Sequence, residues 1–105
     1  MKYEPKVGDR LYLRVQTGDR WVDMVKDPAT VIEVKGNTCI VQACELFFSG
    51  PRYYDTLPSY IMPDPDGKTL KLRWSEKKQR WQESPAGSYP RFAVFGEYAY
   101  QPYLN

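Results

Sequence analysis

Apolar residues along this chain recur at every second position, and no window of eleven or more residues carries a helical stripe with capping signals. In "DRLYLRVQT", Leu11, Leu13 and Val15 alternate with Arg10, Tyr12 and Arg14, the pattern of a strand with one buried face. Gly8-Asp9 punctuates its start, and "TGDRW" turns the chain afterwards. The following "RWVDMVKDP" reads as a short strand or an irregular arm ended by Pro28.

The run "ATVIEVKGNTCIVQACELFF" predicts a hairpin centred on Gly36-Asn37, a pair suited to the positive φ of a tight turn. That centre pairs Lys35 with Thr38, Val34 with Cys39 and Ile32 with Val41. Ile32, Val34, Cys39, Val41 and Ala43 then share the core face, with Val31, Glu33, Ile40 and Gln42 on the other.

Prolines and glycines concentrate in "SGPRYYDTLPSYIMPDPDG", so a long crossing loop is expected, ending in a "DPDG" turn whose Gly takes a left-handed conformation. Tyr60 to Met62 fits a short edge strand, since Pro58 and Pro63 preclude a long ladder. Lys68 to Ser75 reads as the next strand and Arg80 to Glu83 as its return. "SPAGSYP" is a further loop, and "RFAVFGEYAYQPYL" ends the chain with Phe92, Val94 and Tyr98 alternating around Gly96. The prediction is all-β: residues 1–105 form one domain, a small, partly open antiparallel barrel of five to seven short strands with long aromatic and Pro-rich loops.

The segment "LKLRWSEKKQRWQES" sharpens the functional question. A turn over residues 76–79 sets Trp74 opposite Trp81 and Ser75 opposite Arg80. Both indoles then share a face with Leu70 and Leu72, while Lys71, Arg73 and Arg80 share the other. A nucleic-acid platform needs rings and cations on one accessible face. This hairpin separates them, so its Trp pair is expected in the core. The outer stripe of Lys71, Arg73 and Arg80, with Lys77 and Lys78 at the tip, remains able to contact phosphate. A solvated strand face, protected by Lys against edge aggregation, explains the same stripe.

Composition narrows the chemistry. A formal net charge of +2 is too small to draw the whole protein to a polyanion, so an electrostatic partner needs a local patch. No stretch has signal-peptide or membrane-span character, which suggests a cytoplasmic protein without membrane contact. Cys39 and Cys44 fall five apart on opposite faces of one predicted strand, about 16 Å between Cα atoms, and are expected as free thiols. The chain has no histidine, which removes the commonest general base and the commonest metal ligand. Asp64 and Asp66 suit a turn better than a calcium site, and no carboxylate pair is marked by its spacing. No catalytic residue, cofactor or metal is assigned, and the protein is expected not to be an enzyme.

The opening "KVGDRLYLRV" followed by the hairpin "ATVIEVKGNTCIVQA" resembles small SH3-like barrels, in which a Gly-Asp turn starts the first strand and a long arm precedes a tight central hairpin. The resemblance covers about the first half of the chain and is one of fold. Barrels of that kind host peptide binders, RNA and DNA binders and structural inserts, so the resemblance does not choose a function.

Tyrosines supply the remaining candidates. Tyr53, Tyr54 and Tyr60 crowd the Pro-rich loop, and Tyr98, Tyr100 and Tyr103 crowd the tail, with Arg52 and Arg91 as polar anchors. Rigid amphipathic rings of this kind are enriched at protein interfaces, and they also serve to roof a barrel end. The first functional expectation is a non-catalytic interaction module that binds a protein partner, or itself, through this surface. A short chain of this sort suits an accessory or inhibitor protein of a phage or other mobile element. The alternative is a nucleic-acid binder led by Lys71, Arg73, Lys77, Lys78 and Arg80. An enzyme working without histidine ranks last.

Overall fold

A computed structural model of the chain describes residues 2–47 and 60–96. Seven strands and one helical turn make up this part: β1 (Arg10–Arg14), α1 (Arg20–Asp23), β2 (Asp27–Lys35), β3 (Thr38–Phe47), β4 (Tyr60–Pro63), β5 (Thr69–Ser75), β6 (Arg80–Glu83) and β7 (Phe92–Phe95). They lie in the order β2-β1-β7-β6-β5-β3-β4, every pairing antiparallel, and β2 also pairs with β3. Six strands therefore close a barrel, and β4 extends β3 outside the ring. The all-β architecture read from the alternation is the one observed. Closure is thinnest between β6 and β7, where Gln82 opposite Phe92 is the one registered pair. Reciprocal contacts extend that seam: Glu83 N–H donates to the Arg91 carbonyl at 2.7 Å, and Arg91 N–H donates to Glu83 Oε1 at 3.1 Å.

The ring encloses a core of Leu11, Leu13, Val31, Val41, Leu72 and Trp81, with Ala29 and Cys39 between them. The central hairpin turns where expected, with Gly36 at φ +60°. Asn37 does not share the positive φ, so the turn follows the pattern that needs it only at the first central residue. Lys35 faces Thr38 and Val34 faces Cys39, as the spacing predicts.

Glu33 still faces Ile40, and beyond it the register changes. Val31, not Ile32, faces Val41, because a bulge lies between Val31 and Glu33. The extra residue shifts the strand by one, which moves a whole set of side chains to the opposite face. Val31 is therefore 1% exposed and Ile32 41%, the reverse of the sequence expectation. Val34 also stays more exposed than its core assignment implies, at 37%.

Residues 19–27 form neither a strand nor an irregular arm throughout. Asp19 caps α1, its carboxylate accepting from the N–H groups of Trp21 and Val22. Asp23 folds back to accept from Thr17 N–H, Thr17 Oγ1 and Gly18 N–H at 2.7–2.9 Å. These hydrogen bonds, the one from the Thr17 backbone foremost, hold the Asp23 carboxyl below its ordinary pKa, with the Arg14 charge adding to the effect. Pro28 does not end the segment. It sits second in β2 opposite Tyr12, and the β2–β3 register starts only at Ala29 opposite Ala43, so its missing N–H interrupts no β3 ladder.

The "DPDG" turn forms, with Gly67 N–H donating to the Asp64 carbonyl at 2.9 Å and Asp66 N–H to Asp64 Oδ1 at 2.9 Å. Gly67 does not take the expected left-handed conformation. Its requirement is space: a Cβ there would run into the carbonyl oxygen of Ala43.

Residues 2–9 cross one end of the barrel. The Tyr3 ring stacks on Phe95, centroids 4.4 Å apart, and its hydroxyl donates to Asp9 Oδ2 at 2.7 Å. The Lys2 ammonium lies 5.4 Å from the centre of the Trp81 ring. Gly8, at φ +94°, donates its N–H to Val31, and Val31 returns a bond to Asp9, which fastens this segment to β2.

Candidate functional site

The β5–β6 hairpin carries the register that the sequence predicts: Trp74 faces Trp81 and Ser75 faces Arg80 around residues 76–79. The indoles meet edge to face at 5.9 Å, with Trp81 buried and Trp74 half-buried against the core. Gln79 closes the turn in the left-handed region at φ +55°, donating its N–H to the Ser75 carbonyl at 2.7 Å. Lys71 and Arg73 point outward and are exposed, as are Lys77 and Lys78 at the tip; Arg80 is half-buried.

Neighbouring strands change what this outer face can do. Across the ring, Arg14 lies opposite Phe92, Phe92 opposite Gln82, and Gln82 opposite Arg73. Opposed residues in an antiparallel pair share a face, so these four form one transverse outward row. Thr38 and Lys35 continue it on β3 and β2. The outward positions of β1, β7, β6 and β5 hold five cations (Arg10, Arg14, Lys71, Arg73 and Arg80) and no carboxylate. Glu83 shares the inward face with Leu72 instead. Among the described residues no carboxylate forms an ion pair with Lys71, Arg73, Lys77, Lys78 or Arg80.

Aromatic rings sit among these cations. The Arg80 guanidinium lies 4.2 Å from the centre of the Phe92 ring, and its Nε donates to Gln82 Oε1 at 3.0 Å. Partial burial lowers the Arg80 pKa from its ordinary value. Lys26 Nζ lies 5.2 Å from the Tyr12 ring, another outward aromatic of this face. At its margin the Arg14 guanidinium donates to the Asp23 carbonyl at 3.1 Å, which sets α1 and its exposed Trp21 beside β1. Beyond the hairpin, a groove of about 460 Å³ opens between Lys78, Arg80 and Gln82 on one side and the loop carrying Tyr89 on the other.

Sequence reasoning located the cations and missed the rings. In "RFAVF" both alternating sets, Phe92 with Val94 and Ala93 with Phe95, are apolar, so periodicity alone does not say which faces inward. Ala93 and Phe95 pack on the core through their pairing with Leu13 and Leu11, and Phe92 is thereby turned out.

The tyrosine surface fares differently. Tyr53, Tyr54, Tyr98, Tyr100 and Tyr103 lie outside the described residues, as does Arg52, and Tyr60 is the first residue of β4. Arg91 borders a second cavity of about 350 Å³, floored by Leu13, Val41 and Leu70 and edged by Asp27, Glu83 and Lys68. Loss of solvent raises the Asp27 carboxyl pKa, and the Arg91 charge opposes the rise. Arg91 thus belongs to a mixed-charge rim rather than to the basic face. Among the described residues no group of three or more His, Cys, Asp or Glu is placed to hold a metal ion, and no helix is long and apolar enough to cross a membrane.

No family model, no curated protein and no solved structure matches this chain.

Proposed function

We propose that the protein is a non-catalytic nucleic-acid-binding module that grips a phosphate backbone with the outward face of β1, β7, β6 and β5. The observation carrying this reading is the acid-free transverse row Arg14–Phe92–Gln82–Arg73, with Arg80 stacked on Phe92. Clustered Lys and Arg release condensed counterions when they meet phosphates, and this drives association without base recognition. The small net charge of +2 is no obstacle, because the outward positions of these four strands carry no carboxylate; of the described acids, Asp23 lies beside Arg14 at the margin and Glu76 beside Lys77 at the hairpin tip. The six-strand ring suits the SH3-like resemblance of the first half of the chain, and folds of that kind serve as binding platforms for several partner classes.

Retention on heparin and binding of a labelled oligonucleotide test the reading. Binding should fall steeply between low and moderate salt, with a log–log slope of about −0.9 per phosphate contacted on duplex DNA. The double reversal Lys71→Glu with Arg73→Glu, both exposed, should weaken binding at least about tenfold without unfolding the barrel. Absence of binding at low salt and neutral pH would overturn the proposal, and would return attention to a protein partner.

A further inference from the structure

We infer that the groove between the hairpin and the 84–91 loop seats an unpaired nucleobase, so that this face prefers single-stranded nucleic acid to duplex. The inference rests on the nucleic-acid reading above and names the ligand class of the same surface. Three features support it.

The groove is concave and adjoins the basic row, with a volume of about 460 Å³ that lies within the usual range for small-ligand sites. An isolated base has room there, whereas a base in a duplex must first unpair and unstack to enter it.

The lining combines a ring with hydrogen-bonding groups. Tyr89 is 60% exposed and forms part of the wall, a position from which a π-face can stack on any base. Gln16 and Gln82 bring side-chain amides, and Gln82 Oε1 is already engaged by Arg80, which leaves its NH2 group to donate.

The cation at the groove is fixed in place. Arg80 is held by Phe92 on one side and by Gln82 on another, so little side-chain freedom is lost when it meets a phosphate. Lys78 at the tip adds an exposed charge beside it. A strand that threads its backbone along Arg73 and Arg80 can therefore splay one base toward Tyr89, in the manner by which unpaired bases are generally recognised.

The test compares a labelled mixed-sequence DNA strand with the duplex of that same strand, by fluorescence anisotropy at low salt. The single strand should bind about tenfold more tightly. Tyr89→Ala should weaken binding of the strand about five- to tenfold and leave the duplex unaffected, while Tyr89→Phe retains the wild-type preference. Tyr89 is exposed in a loop, so the fold survives these changes. Equal affinity for the two probes, or an unchanged affinity in Tyr89→Ala, overturns the inference; if Lys71→Glu with Arg73→Glu still weakens both probes, the broader reading stands. Failure of both probes to bind removes both readings.

Discussion

The indole N–H of Trp81 donates to the main-chain carbonyl of Tyr3 at 2.8 Å, across 78 positions of sequence. Trp74, its edge-to-face neighbour, has an indole N–H that is shielded from solvent without a hydrogen-bond partner among the described residues. Two tryptophans of one hairpin thus differ in what their nitrogens contribute. Trp81→Phe loses a hydrogen bond and leaves a void under the N-terminal segment, and should cost about 2 kcal/mol. Trp74→Phe removes an unsatisfied donor along with some area, and should change stability by no more than about 1 kcal/mol. Urea denaturation of the two variants checks the difference in size.

The bulge in β2 makes adjacent residues unequal. Val31→Thr places a hydroxyl in the core and should destabilise by about 1–3 kcal/mol. Ile32→Thr, at the bulged and partly solvated position, should stay within about 0.5 kcal/mol. Thermal melts suffice. Equal losses would place both side chains inside.

Gly67→Ala should destabilise by about 1–3 kcal/mol, since the added methyl needs either Ala43 or the turn to move. Gly87→Ala is the control: a Cβ there meets open space, and no comparable loss is expected.

Tyr3 gives the fold an alkaline limit. Its phenol pKa is raised, first by the hydrogen bond it donates to Asp9, then by burial and by the Asp9 charge. The sign follows from that direction. The contribution is fully present below the unfolded tyrosine pKa of about 10 and disappears as pH rises through the higher folded value. Trp fluorescence followed through an alkaline titration should report loosening over Trp81. Tyr3→Phe should remove the part of that transition due to this group.

Thiol chemistry should separate the two cysteines. Burial pushes the Cys39 thiol up to about 11, while Cys44 is only half-buried and lies 3.5 Å from the Thr30 hydroxyl. Near pH 8 a thiol reagent should modify Cys44 first and Cys39 only on unfolding. Mass spectrometry of the partly labelled protein distinguishes them.

What could be read from the sequence divides by the range of the interaction that decides it. Alternation and turn residues are local, and they placed β1, the central hairpin, and the Trp74–Trp81 pairing. The bulge at Ile32 was hidden because Val31 and Ile32 are equally apolar, and only closure of the ring selects between them. Asp19 and Asp23 build α1 through bonds within a few residues, yet the stretch is too short for a helical period to register. The functional face was half legible. Lys71, Arg73 and Arg80 stand in one hairpin, but Arg14 and Phe92 reach the same row only through β1–β7 and β7–β6 pairing, which no local pattern encodes. The stacking of Tyr3 on Phe95 is equally long-range.

The slender joint between β6 and β7 bears on dynamics. A ring held at one place by a single registered pair and two flanking contacts has an obvious gate for breathing, and amides there should lose hydrogen-exchange protection before those of β2 and β3. Arg14 and Phe92 stand on one bank of that gate, Gln82 and Arg73 on the other. Any ligand lying along the row would act as a splint, and occupancy would show itself as slowed unfolding even where the equilibrium shape scarcely changes.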